Sequence, residues 1–406
     1  MSFMQKQVER LSLHDAVSRW YGALQTIGLL QPLATQMVPV HEALNRVTAH
    51  PLVAENPVPH YRGAAMDGYG VRSVDTQDAT GAYPVQLQLG NQAIAVDTGH
   101  PLPDEVDAVI KLEDARQVEE SGCVAIEISA PIGAGKHVRK IGEDIQKGQV
   151  IVPAQHVLRP QDLGALAACG LMHFPVYRRP KVAIIPTGKE LRRAGSKLGP
   201  GEIPEFNSYM LEGQAKLAGC EARTWPMMIR DDYTELRSTV KRALYDNDLL
   251  IINAGSSLGS TDYTAQVIAE VGEISVQGIA IRPGHPTILG MAADRKTAIV
   301  GLPGYPVAAA LVFDRLITPL LHLWQGQPAP VRSTIQAYLT APVQSAINED
   351  TFVRVTLSQQ DGTYSATPLI RGAGILMSLV NAQGLLIIPN GCDGYDTGEP
   401  VEIELF

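Results

Sequence analysis

A glycine- and serine-rich segment, AGSSLGSTD at 254–262, has the residue types of an anion-binding loop. Gly255 and Gly259 would let the backbone turn tightly and approach a ligand, while Ser256 and Ser257 supply hydroxyl groups. The segment leads into a helical pattern, and the free N–H groups at a helix N-terminus attract anions. An ordinary helix cap after a glycine turn has the same composition, so the segment alone leaves both interpretations open.

Two further segments carry groups suited to an oxyanion. RPGHPT contains Arg282, which is always charged and can bind an oxyanion through two parallel hydrogen bonds, and His285, which can gain a proton near neutral pH. A turn with a surface arginine is the alternative. GLPGYPV places Pro303, Gly304 and Pro306 before a helical pattern, where they fix the backbone for either structure or binding.

Acidic side chains at turns are the third chemical signal. Asp67 lies in AAMDGYGVR, Asp144 lies in KIGEDI, and Glu190 lies in TGKEL at an expected strand-to-helix turn. Such carboxylates could hold Mg²⁺ or orient water and hydroxyl groups. Isolated acidic turns are more often structural, and a lone glutamate in a first helical turn is usually solvated and favoured by the helix dipole.

The segments that must position these residues alternate between apolar strands and helices. The predicted strands are 181–186, 222–229, 249–253 and 297–300, and the predicted helices are 207–219, 233–245, 263–270 and 307–324. This alternation predicts a parallel, doubly wound α/β sheet. Ligands of such sheets bind beyond the carboxyl ends of the strands, where the glycine-rich and acidic segments lie.

The rest of the chain predicts three further pieces. Short apolar runs between turn residues indicate a small β domain over 61–144, inserted into an elongated, discontinuous N-terminal domain of 1–60 and 145–178. The α/β domain spans 179–327. Short alternating strands after it predict a C-terminal β-barrel or sandwich domain over 328–406.

The composition argues against several classes of protein. The 406 residues carry a formal net charge of −9 and contain no run of lysine or arginine, which argues against a nucleic-acid partner. No uncharged apolar span of 18 residues and no signal-peptide pattern occur, so no membrane association is expected. Four scattered cysteines without a Cys-x-x-Cys pair fit a reducing compartment. The sequence therefore predicts a cytoplasmic protein.

Taken together, the motifs resemble those of one family. AAMDGYGVR, DTGHPLP, AVIKLED, GEDI, IPTGKEL, NSYML, AGSSLGSTDYT, RPGHPT and GLPGYPV occur in the order and at the spacing typical of molybdopterin molybdenumtransferases. The resemblance extends over 11–406, and the fold of that family also occurs in the C-terminal domain of gephyrin. It implies an elongated homodimer of four-domain subunits, with an active cleft made partly from both subunits.

The reaction that the resemblance implies is the last step of molybdenum-cofactor synthesis. Molybdate joins the dithiolene sulfurs of adenylylated molybdopterin, AMP leaves, and Mg²⁺ assists. Transient contacts with the molybdopterin adenylyltransferase and with molybdoenzyme acceptors are implied as well. The resemblance assigns catalysis to Asp67, Thr98, Asp144, Glu190 and Asp262, substrate binding to Gly255, Ser256, Ser257, Gly259, Arg282, His285, Pro303, Gly304 and Pro306, and Mg²⁺ binding to Glu190, Asp231 and Asp232.

Several positions depart from the family pattern. Arg282 and His285 stand where many members have two lysines, Tyr305 replaces an asparagine, and Ala254 replaces a frequent glycine. A tungstate-preferring paralogue is therefore one alternative. A non-catalytic molybdopterin-binding or scaffold protein is a second, although the retained acidic residues favour catalysis. A nucleotide hydrolase of the competence-damage type would share the α/β domain and lack the segment that contains Met-Asp-Gly-Tyr.

Overall fold

The computed structural model describes residues 10–120, 122–230, 232–254, 263–370 and 372–406. Contacts between residues divide the chain into two compact units. The larger unit contains the chain up to Gln36 and from Tyr177 to Phe406, and the smaller unit contains Met37–Val176. The first helix therefore belongs with the C-terminal half of the chain.

The smaller unit is built mainly from short strands. The first helix, α1 (Leu13–Thr26), precedes it and belongs to the larger unit. The elements from there to the end of the smaller unit are β1 (Thr35–Pro39), β2 (Leu52–Val53), β3 (Gly63–Ala64), β4 (Gly68–Val71), β5 (Val85–Gln88), β6 (Ala93–Val96), β7 (Ala108–Lys111), β8 (Ala115–Glu120), β9 (Cys123–Ile128), β10 (Val138–Arg139), β11 (Val150–Val152), α2 (Pro160–Ala168) and β12 (His173–Tyr177). Two three-stranded sheets, β6-β4-β7 and β5-β9-β8, surround a core that includes Val71, Leu87 and Ile126. They provide the strands predicted for the small β domain.

Helix α1 packs against the sheet of the larger unit. The Ser12 side chain caps it by accepting a hydrogen bond from the Asp15 N–H at 3.1 Å. Trp20 is fully buried, and its indole N–H donates to the Gly290 carbonyl at 3.0 Å. The sequence placed all of 1–60 in one domain, whereas burial of Trp20 draws the start of the chain into the larger unit. The division into four domains stays a prediction.

The larger unit continues with alternating strands and helices and then with strands alone. Its elements after β12 are β13 (Lys181–Thr187), β14 (Leu191–Arg193), β15 (Ile203–Glu205), α3 (Asn207–Leu217), β16 (Glu221–Thr224), α4 (Tyr233–Ala243), β17 (Leu249–Ala254), α5 (Thr264–Val271), β18 (Glu273–Gln277), β19 (Ile281–Arg282), β20 (Ile288–Ala292), β21 (Thr297–Pro303), α6 (Pro306–Val312), α7 (Thr318–Trp324), β22 (Thr334–Leu339), β23 (Val343–Gln344), β24 (Asp350–Gln360), β25 (Thr363–Pro368), α8 (Met377–Val380), β26 (Gly384–Ile388), β27 (Gly394–Tyr395) and β28 (Pro400–Leu405). A π-helical turn, Phe313–Ile317, joins α6 to α7.

The central sheet has six strands in the order β16-β13-β17-β21-β20-β18. The first four are parallel, which confirms the doubly wound α/β fold. β20 and β18 extend the sheet in antiparallel fashion, an addition that the sequence pattern did not predict. The predicted strand 222–229 also ends earlier, at Thr224.

Helices cover both faces of this sheet. Ile251 and Val300 lie in a core shared with α1, α3 and α6, while their neighbours Ile252 and Ile299 lie in a second core shared with α4 and α5. Successive side chains of a strand point to opposite faces, so a strand buried on both sides is apolar throughout. This explains the continuous apolar runs seen in the sequence.

The helix Pro306–Trp324 is long and apolar enough to cross a membrane by composition, and 67% of it is buried inside the protein. Phe313, Leu320 and Trp324 are fully buried in the core beside the sheet. A helix that is apolar on all sides is expected in such a core position. Its length and composition are accounted for by packing.

The C-terminal strands form a closed five-stranded barrel. Strands β24-β25-β22-β28-β26 are hydrogen-bonded in that order, and pairing of β24 with β26 closes the ring. Val353, Leu386 and Ile403 contribute to its apolar core. β19, which ends at Arg282, pairs with the start of β24 and joins the α/β sheet to the barrel. The predicted C-terminal β-barrel is confirmed.

The segment TGKEL does not lead into a helix as predicted. It continues into the short strand β14, which pairs in parallel with β15, and the next helix begins only at Asn207. Because β13 and β14 are separated by a tight turn, the Glu190 carboxylate lies over Gly188, where an added Cβ would come within 2.8 Å of Oε1. Glu190 is therefore held by a turn between strands.

Candidate active site

A cavity of about 620 Å³ lies at the carboxyl ends of the parallel strands, and we call it the strand-end cavity. Thr187 at the end of β13, Ala254 at the end of β17 and Gly304 just after β21 all line it. This is the edge at which ligands of open α/β sheets bind. The fold therefore places a ligand-sized space where the sequence predicted one.

Two asparagines tie the strand ends together. The Asn207 side-chain N–H₂ donates to Asn253 Oδ1 at 3.0 Å and to the Gly304 carbonyl at 2.6 Å. Asn253 in turn donates to the Pro303 carbonyl at 2.8 Å. Asn207 Oδ1 is buried in the cavity wall and has no hydrogen-bond partner among the described residues. This oxygen is an acceptor that a bound ligand could satisfy, because a buried polar atom without a partner is costly.

The strand-end cavity is suited to negative charge. The first residues of α3, α5 and α6, which are Asn207, Thr264 and Pro306, all line it, so three helix N-termini meet there. Lys189 and Arg230 add positive side chains to the wall. These groups favour an anionic ligand such as a phosphate ester.

Carboxylates share the same wall. Glu190, Asp232 and Glu205 line the cavity, and two of them hold helix ends. Asp232 caps α4 by accepting the Glu235 N–H at 2.7 Å, and Glu205 accepts the Ser208 N–H at 2.9 Å. Within the described part of the chain, no three His, Cys, Asp or Glu side chains are arranged to hold a metal ion. Of the three Mg²⁺ ligands predicted from the sequence, Glu190 and Asp232 lie among the described residues, and both line the cavity.

A second cavity of about 450 Å³ adjoins the barrel, and we call it the barrel-side cavity. Its lining includes Arg282, His285 and Pro303, which the family resemblance assigned to substrate binding. Gly284, between the two charged positions, has φ of 135°, and an added Cβ would approach Ile281 Cδ1 to 2.7 Å. Glycine is therefore required for this loop to turn its polar side chains toward the cavity.

A buried arginine of the barrel completes that wall. Arg354 on β24 is only 3% exposed and lines the cavity. Its guanidinium donates to Ser378 Oγ at 3.2 Å and to the carbonyls of Phe352 and Gly372 at 3.3 Å. Nothing in the sequence marks Arg354 as a site residue, because an arginine within a strand is ordinarily expected to point to solvent.

One aromatic residue belongs to both cavities. Tyr305 lines the strand-end cavity and the barrel-side cavity, and it is 54% exposed. Its ring lies against Gly374, where an added Cβ would come within 3.3 Å of Tyr305 Cδ1. The nearby backbone is fixed by a hydrogen bond from the Val307 N–H to the Ala373 carbonyl at 3.0 Å. Tyr305 is thus a shared partition, at a position where the family pattern has asparagine.

The remaining predicted residues of the larger unit fall into two groups. Gly304 and Pro306 line the strand-end cavity, and Pro303 lines the barrel-side cavity. The glycine- and serine-rich segment falls outside the described residues. The assignments that lie there are Gly255, Ser256, Ser257, Gly259 and Asp262, together with Asp231.

The smaller unit brings two of its three predicted residues together. Asp67 Oδ1 accepts hydrogen bonds from the Thr98 N–H at 2.6 Å and from the Thr98 hydroxyl at 2.8 Å. These bonds, the backbone bond first, lower the pKa of Asp67 below its usual range. Next to it, an added Cβ on Gly68 would come within 1.9 Å of the Ile110 carbonyl, so the first position of β4 requires glycine. Asp144 is exposed, and its backbone N–H donates to the Val58 carbonyl at 3.0 Å.

Three family models match the chain and together span most of its length. The MoeA N-terminal region (domain I and II) matches residues 11–170, a probable molybdopterin binding domain matches 183–323, and the MoeA C-terminal region (domain IV) matches 336–406. Each match falls on a part of the chain with the expected type of fold.

Full-length relatives and a solved structure are similar to the whole chain. A putative molybdopterin biosynthesis protein of Methanocaldococcus jannaschii is 32% identical over 91% of this chain and 91% of its own length. A molybdopterin molybdenumtransferase of Mycobacterium tuberculosis is 33% identical over 87% of this chain and 90% of its own. The crystal structure of a molybdopterin biosynthesis MoeA protein from Pyrococcus horikoshii has a TM-score of 0.80 and 32% identity, covering 98% of this chain and 99% of that one.

Proposed function

The chain belongs to the MoeA family, and from that premise we propose that it is a molybdopterin molybdenumtransferase of molybdenum-cofactor biosynthesis. Its reaction inserts molybdate into adenylylated molybdopterin and releases AMP. The observation that carries this proposal is the pair of adjoining cavities that share Tyr305. One has the size and polarity for a nucleotide-linked pterin, and the other has the charge for a small oxyanion.

The strand-end cavity is the proposed site of adenylylated molybdopterin. Its volume of about 620 Å³ lies within the range of small-molecule and cofactor sites. Three helix N-termini with Lys189 and Arg230 supply charge for the phosphates. Asn207 Oδ1 supplies a buried acceptor, which matches an N–H group of a heterocycle.

The barrel-side cavity is the proposed molybdate site. Arg282 and Arg354 provide two permanent positive charges, and guanidinium groups match the geometry of oxyanions. His285 adds a further donor, whose charge depends on protonation. A dianion of tetrahedral shape is the class of ligand that this wall fits.

The chemistry of the reaction explains why the two sites adjoin. Molybdenum must form bonds to both dithiolene sulfurs, and one oxygen of molybdate leaves as water with the two thiol protons. Water attacks the phosphoanhydride, its P–O bond breaks, and AMP leaves. The anhydride carries negative charge that must be neutralised as its P–O bond breaks. Lys189, Arg230 and the helix N-termini would stabilise that charge in the strand-end cavity.

Mg²⁺ is part of the proposal. In phosphate-binding sites Mg²⁺ is commonly held by one or two carboxylates together with substrate phosphates, and Glu190 and Asp232 offer such carboxylates. The donor set therefore fits a cation that binds along with the substrate. When bound it would neutralise charge on the phosphoanhydride. Asp231 completes the set of Mg²⁺ ligands implied by the resemblance, and Asp262 is proposed as a catalytic residue.

Further features belong to the proposal through the family resemblance. Asp67, Thr98 and Asp144 are proposed catalytic residues of the smaller unit. A homodimer, a cytoplasmic location, and transient contacts with the molybdopterin adenylyltransferase and molybdoenzyme acceptors complete it. The two hydrogen bonds from Thr98 fix the position of the Asp67 carboxylate and so support its proposed role, because a fixed, charged carboxylate can orient a hydroxyl group or a cation.

AMP release from adenylylated molybdopterin tests the proposed function. We expect the purified protein with Mg²⁺ to release AMP when molybdate is added, and Arg282→Ala to need on the order of tenfold more molybdate because a charged oxyanion partner is lost. Arg116→Ala, which changes an exposed arginine of the smaller unit, is the control and should leave the rate unchanged. A protein that binds the pterin but releases no AMP with molybdate or tungstate would instead be a non-catalytic binding or scaffold protein.

A second candidate, a tungstate-preferring transferase, rests on Arg282 and His285 standing where many family members have two lysines. His285 is hydrogen-bonded to a buried carboxylate, so this position does not offer the oxyanion a free, fixed charge as a lysine would. Faster AMP release with tungstate than with molybdate would support this candidate. Equal use of molybdate by the wild type and His285→Lys would remove its basis.

A further inference from the structure

A buried glutamate lies behind the two polar residues of the barrel-side cavity. Glu349 is 6% exposed and immediately precedes β24. It is not part of the cavity wall, whereas Arg282 and His285 are. Neither the motifs of the sequence nor the proposed reaction uses this carboxylate. A buried carboxylate needs a partner, and here both partners belong to the proposed oxyanion site.

Each oxygen of Glu349 faces one of those side chains. Arg282 Nε lies 2.8 Å from Glu349 Oε1, and His285 Nε2 is hydrogen-bonded to Oε2. The Arg282 contact is an ion pair by distance, but its N–H is not directed at Oε1, which accepts no hydrogen bond from the described residues. The contact is therefore mainly electrostatic, and it holds the guanidinium in place while leaving its N–H groups available to a ligand.

The backbone fixes this arrangement. β19 and β24 pair with Ile281 opposite Asp350 and Arg282 opposite Thr351, and the Asp350 N–H donates to the Ala280 carbonyl at 3.0 Å. The loop from Arg282 is closed by the Ile279 N–H, which donates to the His285 carbonyl at 3.0 Å. The paired backbone thus places the Glu349 side chain beside the side chains of Arg282 and His285.

The charge balance of the wall gives Glu349 a consequence for binding. Arg282 and Arg354 are permanently positive, and Glu349 cancels one of these charges at close range. The attraction between an anion and a partly buried site scales with the charge of the anion and the charge of the site. The cancellation by Glu349 therefore weakens the binding of a dianion more than that of a monoanion of the same shape. A neutral isostere at position 349 would restore the attraction and keep hydrogen-bonding groups for both neighbours.

We propose that Glu349 is a positioning residue and a charge counterweight, which orients Arg282 and His285 and limits the affinity of the barrel-side cavity for dianionic oxyanions. The proposal rests on the proposed function, in that it takes this cavity as the oxyanion site. Moderate affinity suits a site whose occupant must leave for the neighbouring cavity in every turnover.

Equilibrium binding of tetrahedral anions to the full-length protein tests this proposal. For Glu349→Gln we expect molybdate and sulfate to bind on the order of tenfold more tightly than to the wild type, since one opposing charge is removed. Perchlorate, a monoanion of the same shape, should gain clearly less. Glu402→Gln makes the same charge change on an exposed barrel residue that contacts Thr334, and it should change none of the affinities.

The outcomes separate a charge effect from a structural one and from failure of the proposed function. Unchanged or weaker binding of molybdate by Glu349→Gln, or an equal gain for perchlorate, would overturn the counterweight role. Glu349→Leu, a replacement of similar size without polar atoms, serves if the glutamine variant does not fold, and failure of both to fold would make the residue purely structural. If Arg282→Ala binds molybdate as the wild type does, the cavity assignment itself is wrong. If only Arg282→Ala weakens binding, the cavity stands and the inference about Glu349 is wrong.

Discussion

At the scale of single residues, Thr98 controls the charge of Asp67. One carboxylate oxygen accepts both the backbone N–H and the hydroxyl of Thr98, and both bonds stabilise the charged form. The pKa of Asp67 is lowered as a result, with the backbone bond as the larger cause. Asp67 is therefore an anion throughout the neutral range, although it is exposed to solvent.

Replacing Thr98 by valine should raise the pKa of Asp67 and keep the fold. The hydroxyl bond is lost while the backbone N–H remains, so the lowering is only partly removed. We expect the acid limb of the pH profile for AMP release to move to higher pH and the alkaline limb to stay in place. Thr340→Val, which removes an exposed hydroxyl pair in the barrel, is the matched control. An acid limb that does not move would show that another group titrates there.

Removing the charge of Asp67 altogether has a larger expected effect. Asp67→Asn should lower the rate of AMP release on the order of 10²–10³, as for other electrostatic catalytic groups. Asp104→Asn, a change at an exposed position of the same unit, should be silent. Full activity of Asp67→Asn would withdraw the catalytic role assigned to this residue.

Residues of this kind differ in how far the sequence reveals them. Arg282 and His285 stand out because proline and glycine surround them, and both do line a cavity. Glu349 gives no local signal, and Asn207 stands only as the first residue of the motif NSYML without an assigned role, since the contacts of both depend on burial against distant groups. His285 and Glu349, for example, are 64 residues apart in the sequence. Such pairs become visible only when the strands that carry them are paired.

At the scale of elements, α2 is anchored by the carboxylate of Asp162. This buried side chain accepts the Arg159 backbone N–H at 2.8 Å, the Arg159 guanidinium at 3.0 Å, and His156 Nε2 at 2.7 Å. The Arg159 side chain holds the pKa of Asp162 well below its usual range, against the opposing effect of burial. Because the folded pKa is depressed, this contribution to stability is present above about pH 4 and is lost as the pH falls through the folded pKa.

Asp162→Asn should therefore loosen α2 at neutral pH. Loss of the charged hydrogen bonds is expected to cost about 1–3 kcal/mol, so the amides of Pro160–Ala168 should exchange faster with deuterium. The difference from the wild type should shrink at acidic pH, where the wild-type carboxylate is also protonated. Exposed Asp361→Asn in the barrel is the control. Equal exchange of the two proteins at pH 7 would refute the anchoring role.

Elements with strong apolar runs were predictable, and weaker ones were not. Three of the four parallel strands, β13, β17 and β21, are buried on both faces, which leaves a clear apolar signature, whereas the edge strand β16 is only partly buried. β20 was missed because Gly290 interrupts a short run, yet glycine is required there, since an added Cβ would come within 2.5 Å of the Glu273 carbonyl. Gly290, which allows β20 to pair closely with β18, therefore also makes β20 hard to recognise in the sequence.

At the scale of the whole molecule, the barrel supplies part of a cavity wall in the larger unit. Phe352 and Leu385 from the barrel strands share one apolar core with Val312 of the α/β region. β19 joins the two through a pairing of only two residues. The sequence predicted both folds, but not that the barrel supplies Arg354 to a cavity beside the sheet. Two-residue pairings between distant segments leave no periodic pattern to read.

The shared partition suggests a measurable interaction between the two ligands. A ligand in the strand-end cavity that moves the Tyr305 ring also changes the wall of the barrel-side cavity. We expect AMP to alter the dissociation constant of molybdate about five-fold or more in the wild type, in line with ordinary coupling between sites. Tyr305→Ala should bring that factor close to one, while Tyr338→Ala on an exposed barrel strand should preserve it. A wild-type factor of one would mean that the ring transmits nothing.

Coupling between the two ligands through Tyr305 must act in both directions. If AMP changes the affinity for molybdate by some factor, molybdate must change the affinity for AMP by the same factor, because both factors come from one free-energy cycle. An aromatic ring that lines both cavities thus gives one coupling free energy, which can be measured from the binding of either ligand. Molybdate supply would then set how tightly AMP is bound, and the occupancy of a product site would report the availability of an oxyanion.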